Sequence, residues 1–517
     1  MHALPLPSPP DAFSGLQPTI VWQHFATLCA IPRASRHEDR LRAHLQAWAQ
    51  ARGLAARVDT AGNLIVAKPA SAGHEHAPGM VLQAHLDMVC QKNADSAHDF
   101  AHDPIVPVRE DGWLRAQDTT LGADNGIGVA LILAALEAAN LAHGPLEALL
   151  TVDEETGMSG AKGLAADALR GRRMLNLDTE EWGEFYLGCA GGLDVNVQRR
   201  GGAGAGQPAP AGFRHCRISL RGLRGGHSGV DIHEGRGNAI KLLVRILREL
   251  QAAGPLRLAS LQGGTARNAL AREAFAAIAL PAPAMESLPG FLAQRQVALR
   301  GELRGVDEQL TLTVADAPDQ PVMAPAEQDI WLASLHAAPH GVRRMSREVP
   351  GVVETSNNLG MVELTASGGS CNFMVRSLLD AGSLALADEI AGLFSLSGTR
   401  VDITGQYPGW APNPDSPLLG VCQSVYRREF GAASAVKVIH AGLECGIIGA
   451  QYPGMDIVSF GPTIRGAHAP GESVLIASVG HCWQLLRALL AAESGDAPMC
   501  LPQSPHQTHE FVVGKAA

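Results

Sequence analysis

Short apolar runs alternate with helical segments along the first 190 residues of the chain. The stretches GMVLQAHLDMV (Gly79 to Val89), LEALLTV (from Leu146) and RRMLNLD (Arg172 to Asp178) are typical of buried strands. The stretch DNGIGVALILAALEAANLA (Asp124 to Ala142) is typical of a helix, which Gly144-Pro145 would stop. Strands that alternate with helices predict an α/β fold, with a mixed sheet and helices on both of its faces.

The pattern changes near Gly191, and it returns at about Gln406. Because 517 residues exceed what one ordinary core accommodates, we expect more than one domain. We predict a discontinuous catalytic domain (1–190 and 406–493), an inserted α+β domain (191–405) and a flexible C-terminal tail (494–517). The first fifteen or so residues, which are rich in proline, are predicted to form a flexible arm, and residues Thr19 to Ala55 to be helical.

Charge and cysteine content exclude several classes of function. The chain has 41 basic and 51 acidic residues and a net charge of −10, so a general nucleic-acid-binding role is not expected. No signal peptide and no membrane span are expected, because the N-terminus lacks a basic region and no long uninterrupted apolar run occurs. The nine scattered cysteines include no CxxC pair, which favours reduced thiols and a cytoplasmic protein.

Five short stretches end in residue types that bind metals. The candidate residues are His85 and Asp87 in QAHLDMV, Asp124 in TLGADNGIG, Glu154 and Glu155 in TVDEETG, Asp178 in NLDTEEWGE, and His468 in RGAHAPGE. Ligands gather beyond the carboxyl ends of strands in open α/β sheets, so all five stretches are expected to converge on one crevice. Two histidines with several carboxylates, and no cysteine, suit zinc, cobalt or manganese.

Asp124 is the candidate for a carboxylate shared by two ions. It begins a long helix, and Gly126 and Gly128 follow it and allow close backbone approach. The alternative is that Asp124 caps the helix, a common role for aspartate. The other candidates have similar alternatives: His85 as a buried strand-end histidine, Asp178 as a turn residue, and Glu154 with Glu155 as a solvated loop.

The motifs HLDMV, GADNGIG, DEETGMSGA, LDTE and HAPGE resemble those of the co-catalytic dizinc aminoacylase/carboxypeptidase superfamily. The stretches GLRGGHSGVDIHEGRGNAIK, GGTARNA and HAGLECGIIG are similar to its bacterial Xaa-His dipeptidase branch. The resemblance extends roughly from Pro18 to Ala492, which is nearly the whole chain. It implies a zinc-binding domain interrupted by a lid domain.

The resemblance also implies a role for each candidate residue of the first domain. His85 would bind one zinc ion and His468 the other, and Asp124 would bridge them. Glu155 and Asp178 would complete the two sites. Asp87 would lie behind His85 and orient its imidazole, and Glu154 would be the general base. The order of Glu154 and Glu155 rests on the resemblance alone.

The resemblance also implies four substrate-binding residues, three of them in the inserted domain. His227 would stabilise the tetrahedral oxyanion, Asn268 would hydrogen-bond the substrate, and Arg376 would bind its terminal carboxylate. Gly442 would supply a backbone contact. The alternatives are an ordinary loop histidine for His227 and a solvent-exposed strand arginine for Arg376. The roles of His440 and Glu444 stay open, and the resemblance implies a homodimer.

These expectations combine into one predicted function. The chain would hydrolyse dipeptides, Xaa-His among them, with two Zn²⁺ ions per chain, for which Co²⁺ or Mn²⁺ could substitute. The alternatives are another dizinc amidohydrolase (a tripeptidase, an aminoacylase or a deacetylase) and a non-catalytic metal- or peptide-binding relative. Glu154 argues against the non-catalytic alternative, because a pure binding protein has no use for a base beside the metal.

Overall fold

The computed structural model describes residues 11–93, 95–202 and 206–495, together with the backbone of Phe511–Val513. The predicted arm and tail fall largely on residues outside these ranges. The chain divides into two compact units. Unit 1 contains the chain up to Cys189, Trp410–Val438 and the chain from Leu443 onward, and unit 2 contains Ala190–Gly409 and Ile439–Gly442. The predicted domain limits of 191 and 405 differ from these bounds, and the prediction placed residues 439–442 in the first domain.

The helices, in chain order, are α1 (Thr19–Ala30), α2 (Asp39–Ala51), α3 (Ala123–Glu137), α4 (Glu154–Gly157), α5 (Ser159–Lys162), α6 (Ala239–Ala253), α7 (Ala282–Glu302), α8 (Pro325–Ala337), α9 (Asp380–Ser395), α10 (Pro417–Phe430), α11 (Glu444–Gln451) and α12 (Ile476–Glu493). The strands in the first segment of unit 1 are β1 (Ala55–Val58), β2 (Leu64–Lys68), β3 (Met80–His85), β4 (Pro107–Glu110), β5 (Trp113–Ala116), β6 (Leu146–Thr151), β7 (Arg173–Asn176) and β8 (Glu184–Cys189). Those that follow are β9 (Gly191–Arg200), β10 (Phe213–Arg221), β11 (Arg257–Gly263), β12 (Ala274–Pro281), β13 (Thr311–Asp316), β14 (Gly341–Met345), β15 (Val353–Thr365), β16 (Gly368–Ser377), β17 (Arg400–Tyr407), β18 (Ala435–Ile439), β19 (Asp456–Ser459), β20 (Ile464–Arg465), β21 (Ser473–Leu475) and β22 (Phe511–Val513).

Unit 1 is built on a mixed sheet in the order β1-β2-β6-β3-β7-β19-β8-β18-β22. Its centre is parallel, because β3 pairs in parallel with β6 and β7, and β7 with β19. The edge hairpin of β1 and β2 runs antiparallel, and β22 pairs in parallel with β18. A smaller sheet has the order β20-β21-β5-β4. Helix α3 is buried along almost its whole length, as its apolar sequence requires.

Unit 2 contains a second sheet in the order β13-β10-β12-β11-β15-β16-β9-β17, and β14 pairs with β15. Each pairing along this order is antiparallel. Helices α6, α8 and α9 bury apolar residues in a core that also contains Leu193, Ile218 and Phe373. The predicted α/β fold with an inserted α+β domain is therefore confirmed.

One predicted segment is interrupted, and one helix was not predicted. The segment from Thr19 to Ala55, which was expected to be helical, contains two helices, α1 and α2, and Pro32 lies between them, where it disfavours helical backbone at Ile31. The helix α7 was not predicted, because it contains Pro289 and its apolar residues follow no clear helical period. Within the described residues no helix combines the length and the apolar character that crossing a bilayer requires.

Candidate active site

Parallel pairing brings the predicted strand-end residues of unit 1 to one edge of the sheet. His85 ends β3 and lies opposite Thr151, the last residue of β6. On the other side of β3, Gln83 lies opposite Asn176, the last residue of β7. The turns that follow these strands, with Asp87, the TVDEETG acids and Asp178, therefore emerge together, as the parallel arrangement predicts.

Asp124 lies between two histidines. Its Oδ1 is 3.1 Å from His85 Nε2, and its Oδ2 is 3.2 Å from His468 Nε2. Burial opposes ionisation of this carboxyl, but the contacts with His468 and His85 hold the pKa of Asp124 well below its usual range. The N-cap residue of α3 is Gly122, and the two carboxylate oxygens of Asp124 face the two histidines. These contacts favour the ligand role of Asp124 over the alternative of a helix cap.

Each histidine also has a carboxylate of its own. His85 Nε2 is 3.4 Å from Asp178 Oδ1, and His468 Nε2 is 3.1 Å from Glu155 Oε2. The five candidate ligands thus form two groups, His85 with Asp178 and His468 with Glu155, which share Asp124. His85 is buried, whereas the side chain of His468 is 53% exposed; its partner Glu155 is only 5% exposed.

The donor set fits a pair of divalent cations. Ligand atoms of His85, Asp124 and Glu155 all lie within 4.8 Å of one another. Glu155 Oε1 is buried and has no hydrogen-bond partner among the described residues. Burial raises the pKa of Glu155, and repulsion from Asp124 raises it further. Such a concentration of buried carboxylates is costly unless cations lie among them, and the combination of imidazole and carboxylate suits zinc.

Asp87 connects the buried histidine to the acidic turn. Its Oδ1 is 3.4 Å from His85 Nδ1 and accepts a hydrogen bond from the backbone N–H of Glu154 (3.0 Å). Its Oδ2 accepts hydrogen bonds from the backbone N–H of Glu155 (3.1 Å) and from Ser35 Oγ (2.8 Å). Burial opposes ionisation, but the interactions with His85 and these donors lower the pKa of Asp87 to about 2. Asp87 therefore lies behind His85 as an anion.

The three adjacent acids of the turn have different surroundings. Asp153 is buried, and its carboxylate accepts hydrogen bonds from Arg36 Nε (3.1 Å) and Ser159 Oγ (2.7 Å). Glu155 faces His468, as described above. Burial raises the pKa of Glu154 well above its ordinary value, and the negative charges of Glu155 and Asp178 raise it further, whereas His85 opposes the shift. Glu154 and Glu155 thus both have raised pKa values, whereas the carboxylate of Asp153 is held by hydrogen bonds.

Glu472 is a functional residue that the sequence reasoning missed. Its Oε2 accepts hydrogen bonds from the backbone N–H groups of Leu121 (2.8 Å) and Gly122 (2.9 Å), and its Oε1 accepts one from Asp124 N (3.1 Å). It therefore anchors the loop that carries Asp124. The available signal was its place in HAPGE, four residues after His468.

In unit 2 the structure brings three of the four predicted substrate-binding residues together. Ser228 N donates to the backbone carbonyl of Asn268 (2.8 Å), and His227 forms a β-bridge with Ala269. Arg376 Nη2 is 3.4 Å from His227 Nε2. Arg376 is only 4% exposed, so the alternative of a solvent-exposed strand arginine is wrong.

Two further residues hold this cluster in place. Arg376 Nη1 donates to the hydroxyl of Tyr407 (3.0 Å). Ser356 lies opposite Arg376 in the pairing of β15 with β16, and its hydroxyl is 2.8 Å from His440 Nε2. His440 thus joins the cluster from the segment Ile439–Gly442, which also contains Gly442. No sequence pattern identified Tyr407 or Ser356, because each contributes through the register of a strand.

Comparison with known proteins identifies the family. The model of "Peptidase family M20/M25/M40" matches residues 81–492. The cytosol non-specific dipeptidase of Escherichia coli (strain K12) is 45% identical over 482 residues, which cover 92% of this chain and 98% of that protein. The resemblance seen in the motifs is confirmed by these matches.

Two solved structures are similar to this chain. The aminoacylhistidine dipeptidase of Vibrio alginolyticus superposes with a TM-score of 0.82 at 42% identity, over 95% of this chain and 99% of that one. A tripeptidase from Staphylococcus aureus superposes with a TM-score of 0.54 at 16% identity, over 93% of this chain and 99% of that one, and shows the fold alone. The chain belongs to peptidase family M20/M25/M40.

Proposed function

We propose that the chain is a metal-dependent dipeptidase that hydrolyses unsubstituted dipeptides, including Xaa-His, with two zinc ions. The observation that carries the proposal is the position of Asp124, whose two oxygens lie 3.1 Å from His85 Nε2 and 3.2 Å from His468 Nε2, so that the three side chains could hold two cations between them. The dipeptidases from Escherichia coli and Vibrio alginolyticus, at 45% and 42% identity, support dipeptides as the substrate class.

His85, Asp178 and one oxygen of Asp124 would hold the first cation. His468, Glu155 and the other oxygen of Asp124 would hold the second. When bound, the pair supplies a nucleophile at neutral pH and polarises the substrate carbonyl. Zinc suits these donors best, and cobalt or manganese could replace it.

The side chains around the cations divide the remaining work. Glu154 is the general base: it accepts the proton of the attacking water and passes it to the leaving amine. Burial raises its pKa, and bound cations would lower it again. Asp87 keeps the imidazole of His85 in one orientation and tautomer through its contact with Nδ1.

The cluster of unit 2 recognises the dipeptide. Arg376, which Tyr407 and His227 hold in place, binds the terminal carboxylate, because guanidinium offers a planar pair of donors. His227 stabilises the oxyanion. Asn268 hydrogen-bonds the substrate, and Gly442 adds a backbone contact. Asn358 supports Asn268, because its Nδ2 donates to the backbone carbonyls of Arg267 (3.0 Å) and Ala269 (2.8 Å) on either side.

The proposal includes a cytoplasmic homodimer. A reducing compartment suits the free thiols of the described cysteines, of which all but Cys90 are buried. The similar protein of Escherichia coli carries "cytosol" in its name. Sedimentation of the purified chain, with and without zinc, tests the dimer.

The deciding experiment is a substrate panel. The zinc-loaded protein and the chelator-treated protein are incubated with dipeptides (Xaa-His among them), tripeptides and N-acyl amino acids, and the released amino acids are measured. We expect release from dipeptides that chelation abolishes and zinc restores. Release from tripeptides or N-acyl amino acids but from no dipeptide would overturn the proposal in favour of another amidohydrolase.

A further inference from the structure

A row of buried polar side chains crosses the centre of the unit 1 sheet. Gln83 on β3, Asn176 on β7 and Ser459 on β19 lie side by side in register, and each is fully buried. Thr151, at the end of β6, and Glu444, the first residue of α11, are fully buried beside them. Central parallel strands usually carry apolar side chains at such positions, so these five polar groups require an explanation.

The side chains of this row donate hydrogen bonds one to the next, from Ser459 towards Glu444. The Ser459 hydroxyl donates to Asn176 Oδ1, and Asn176 Nδ2 donates to Gln83 Oε1. Gln83 Nε2 then donates to Glu444 Oε2 (2.6 Å), which also accepts the Thr151 hydroxyl (2.6 Å). Glu444 Oε2 is therefore the final acceptor of the row, and two strands depend on it.

The row lies directly beneath the candidate ligands. Side chains two residues apart on a strand share a face. Gln83 precedes His85 by two residues, Asn176 precedes Asp178 by two, and Thr151 precedes Asp153, where the acidic turn begins. A shift of Gln83, Asn176 or Thr151 therefore moves the end of a strand that a candidate ligand or the acidic turn ends or follows.

Burial of a carboxyl group at this position costs free energy. Glu444 Oε1 is buried and has no hydrogen-bond partner among the described residues. Burial raises the pKa of Glu444 to about 8, because the charged form loses its hydration. A side chain that only filled space would avoid this cost, whereas an oxygen that accepts two donors from neighbouring strands fixes both of them.

We propose that Glu444 is a positioning residue of the metal centre, which orients His85 through Gln83 and the acidic turn through Thr151. The inference rests on the proposed function for the identity of the ligands and the base. It gives Glu444 a task that does not involve contact with substrate or cation.

The test compares variants that keep or remove the acceptor. Glu444→Gln retains an oxygen for Gln83 and Thr151, whereas Glu444→Leu removes it. Thr151→Val removes one donor at constant shape, and Thr151→Ser restores it. Glu493→Gln is the matched control, because Glu493 is a carboxylate of unit 1 that is only 5% exposed and pairs with Arg173.

Three quantities are measured on the full chain: zinc affinity by competition with a chromophoric chelator, the visible spectrum of the cobalt-loaded protein, and kcat and KM for one dipeptide. We expect Glu444→Leu to bind zinc about 10-fold to 100-fold more weakly, to change the cobalt spectrum, and to lower kcat more than it raises KM. Glu444→Gln, Thr151→Ser and Glu493→Gln should stay close to the wild type. Thr151→Val should shift affinity and spectrum in the same direction as Glu444→Leu, and it serves if Glu444→Leu does not fold.

Two results would overturn the inference. One is wild-type zinc affinity and cobalt spectrum in both Glu444→Leu and Thr151→Val. The other is a Glu444→Gln variant as impaired as Glu444→Leu, which would make the charge and not the accepted hydrogen bonds decisive. Affinity and spectrum need no substrate, so a wild-type protein that binds zinc but cleaves no dipeptide would refute the proposed function and leave this inference standing.

Discussion

The first prediction concerns Glu472, which anchors the loop that carries Asp124. Glu472 accepts three backbone hydrogen bonds, two at Oε2 from Leu121 and Gly122 and one at Oε1 from Asp124. In Glu472→Gln the amide oxygen can keep the first two. The amide NH₂ group must then face the N–H of Asp124, so that one hydrogen bond is lost and two donors oppose each other.

The size of the effect follows from the bond that is lost. A hydrogen bond to a charged group contributes about 1.5–3 kcal/mol. Without it the backbone at Asp124 relaxes away from the position in which its oxygens face His85 and His468. Zinc binding must restore that position, so the same free energy is subtracted from binding. The loss corresponds to roughly 10-fold to 150-fold weaker zinc affinity.

The assay is a zinc titration of the metal-free protein against a competing chromophoric chelator. Glu493→Gln again serves as the control for the loss of a buried carboxylate elsewhere in unit 1, and it should bind zinc like the wild type. A Glu472→Gln protein whose zinc affinity lies within a factor of about two of the wild type would refute the reasoning, because a factor of two corresponds to only about 0.4 kcal/mol.

Three further predictions follow from the structure. Glu154→Gln should keep both zinc ions but lower kcat about 10²-fold to 10⁴-fold; loss of zinc, measured by elemental analysis, would mean that Glu154 and Glu155 have exchanged roles. Arg376→Lys should raise KM for dipeptides, since one planar pair of donors is lost, and should have no such effect on dipeptide amides, which lack the carboxylate. His440 has a pKa of about 3 in the folded chain against 6.5 ordinarily, because burial disfavours its charge and Arg376 opposes it. Between those two pH values only the unfolded chain binds this proton, so the free energy of unfolding falls as the pH drops below 6.5, by about 2 kcal/mol at pH 5. Urea unfolding at pH 7.5 and pH 5 should show a loss of stability that is smaller by that amount in His440→Gln than in the wild type. An equal loss in both proteins would contradict the prediction.

The candidate ligands could be found in the sequence because their positions follow from local patterns. Each of His85, the TVDEETG acids and Asp178 comes at or just after a short apolar run, and parallel strands bring such ends together. Sequence spacing could not show that His85 and His468 lie on opposite sides of Asp124, because 344 residues separate Asp124 from His468. Their arrangement depends on the fold of the whole unit.

The supporting residues could not be found in the same way. Glu472 and Glu444 act on backbone and side-chain groups that are more than 290 residues away in sequence. Neither glutamate differs in local pattern from a surface glutamate at a helix start or in a loop. Burial distinguishes them, since Glu472 is 2% exposed and Glu444 fully buried, and burial of a charged residue is a property of the assembled sheet rather than of a sequence window.

Asp87 holds two of the three acids of TVDEETG, Glu154 and Glu155, through their backbone N–H groups. Its two oxygens accept the N–H groups of Glu154 and Glu155, one each, at 3.0 and 3.1 Å. The same carboxylate lies 3.4 Å from the ring of His85. The proposed base and two of the proposed cation ligands, Glu155 and His85, thus all contact a single anion. Substitutions at Asp87 and at Glu154 should therefore be strongly non-additive in kcat, because each disturbs a geometry that the other needs.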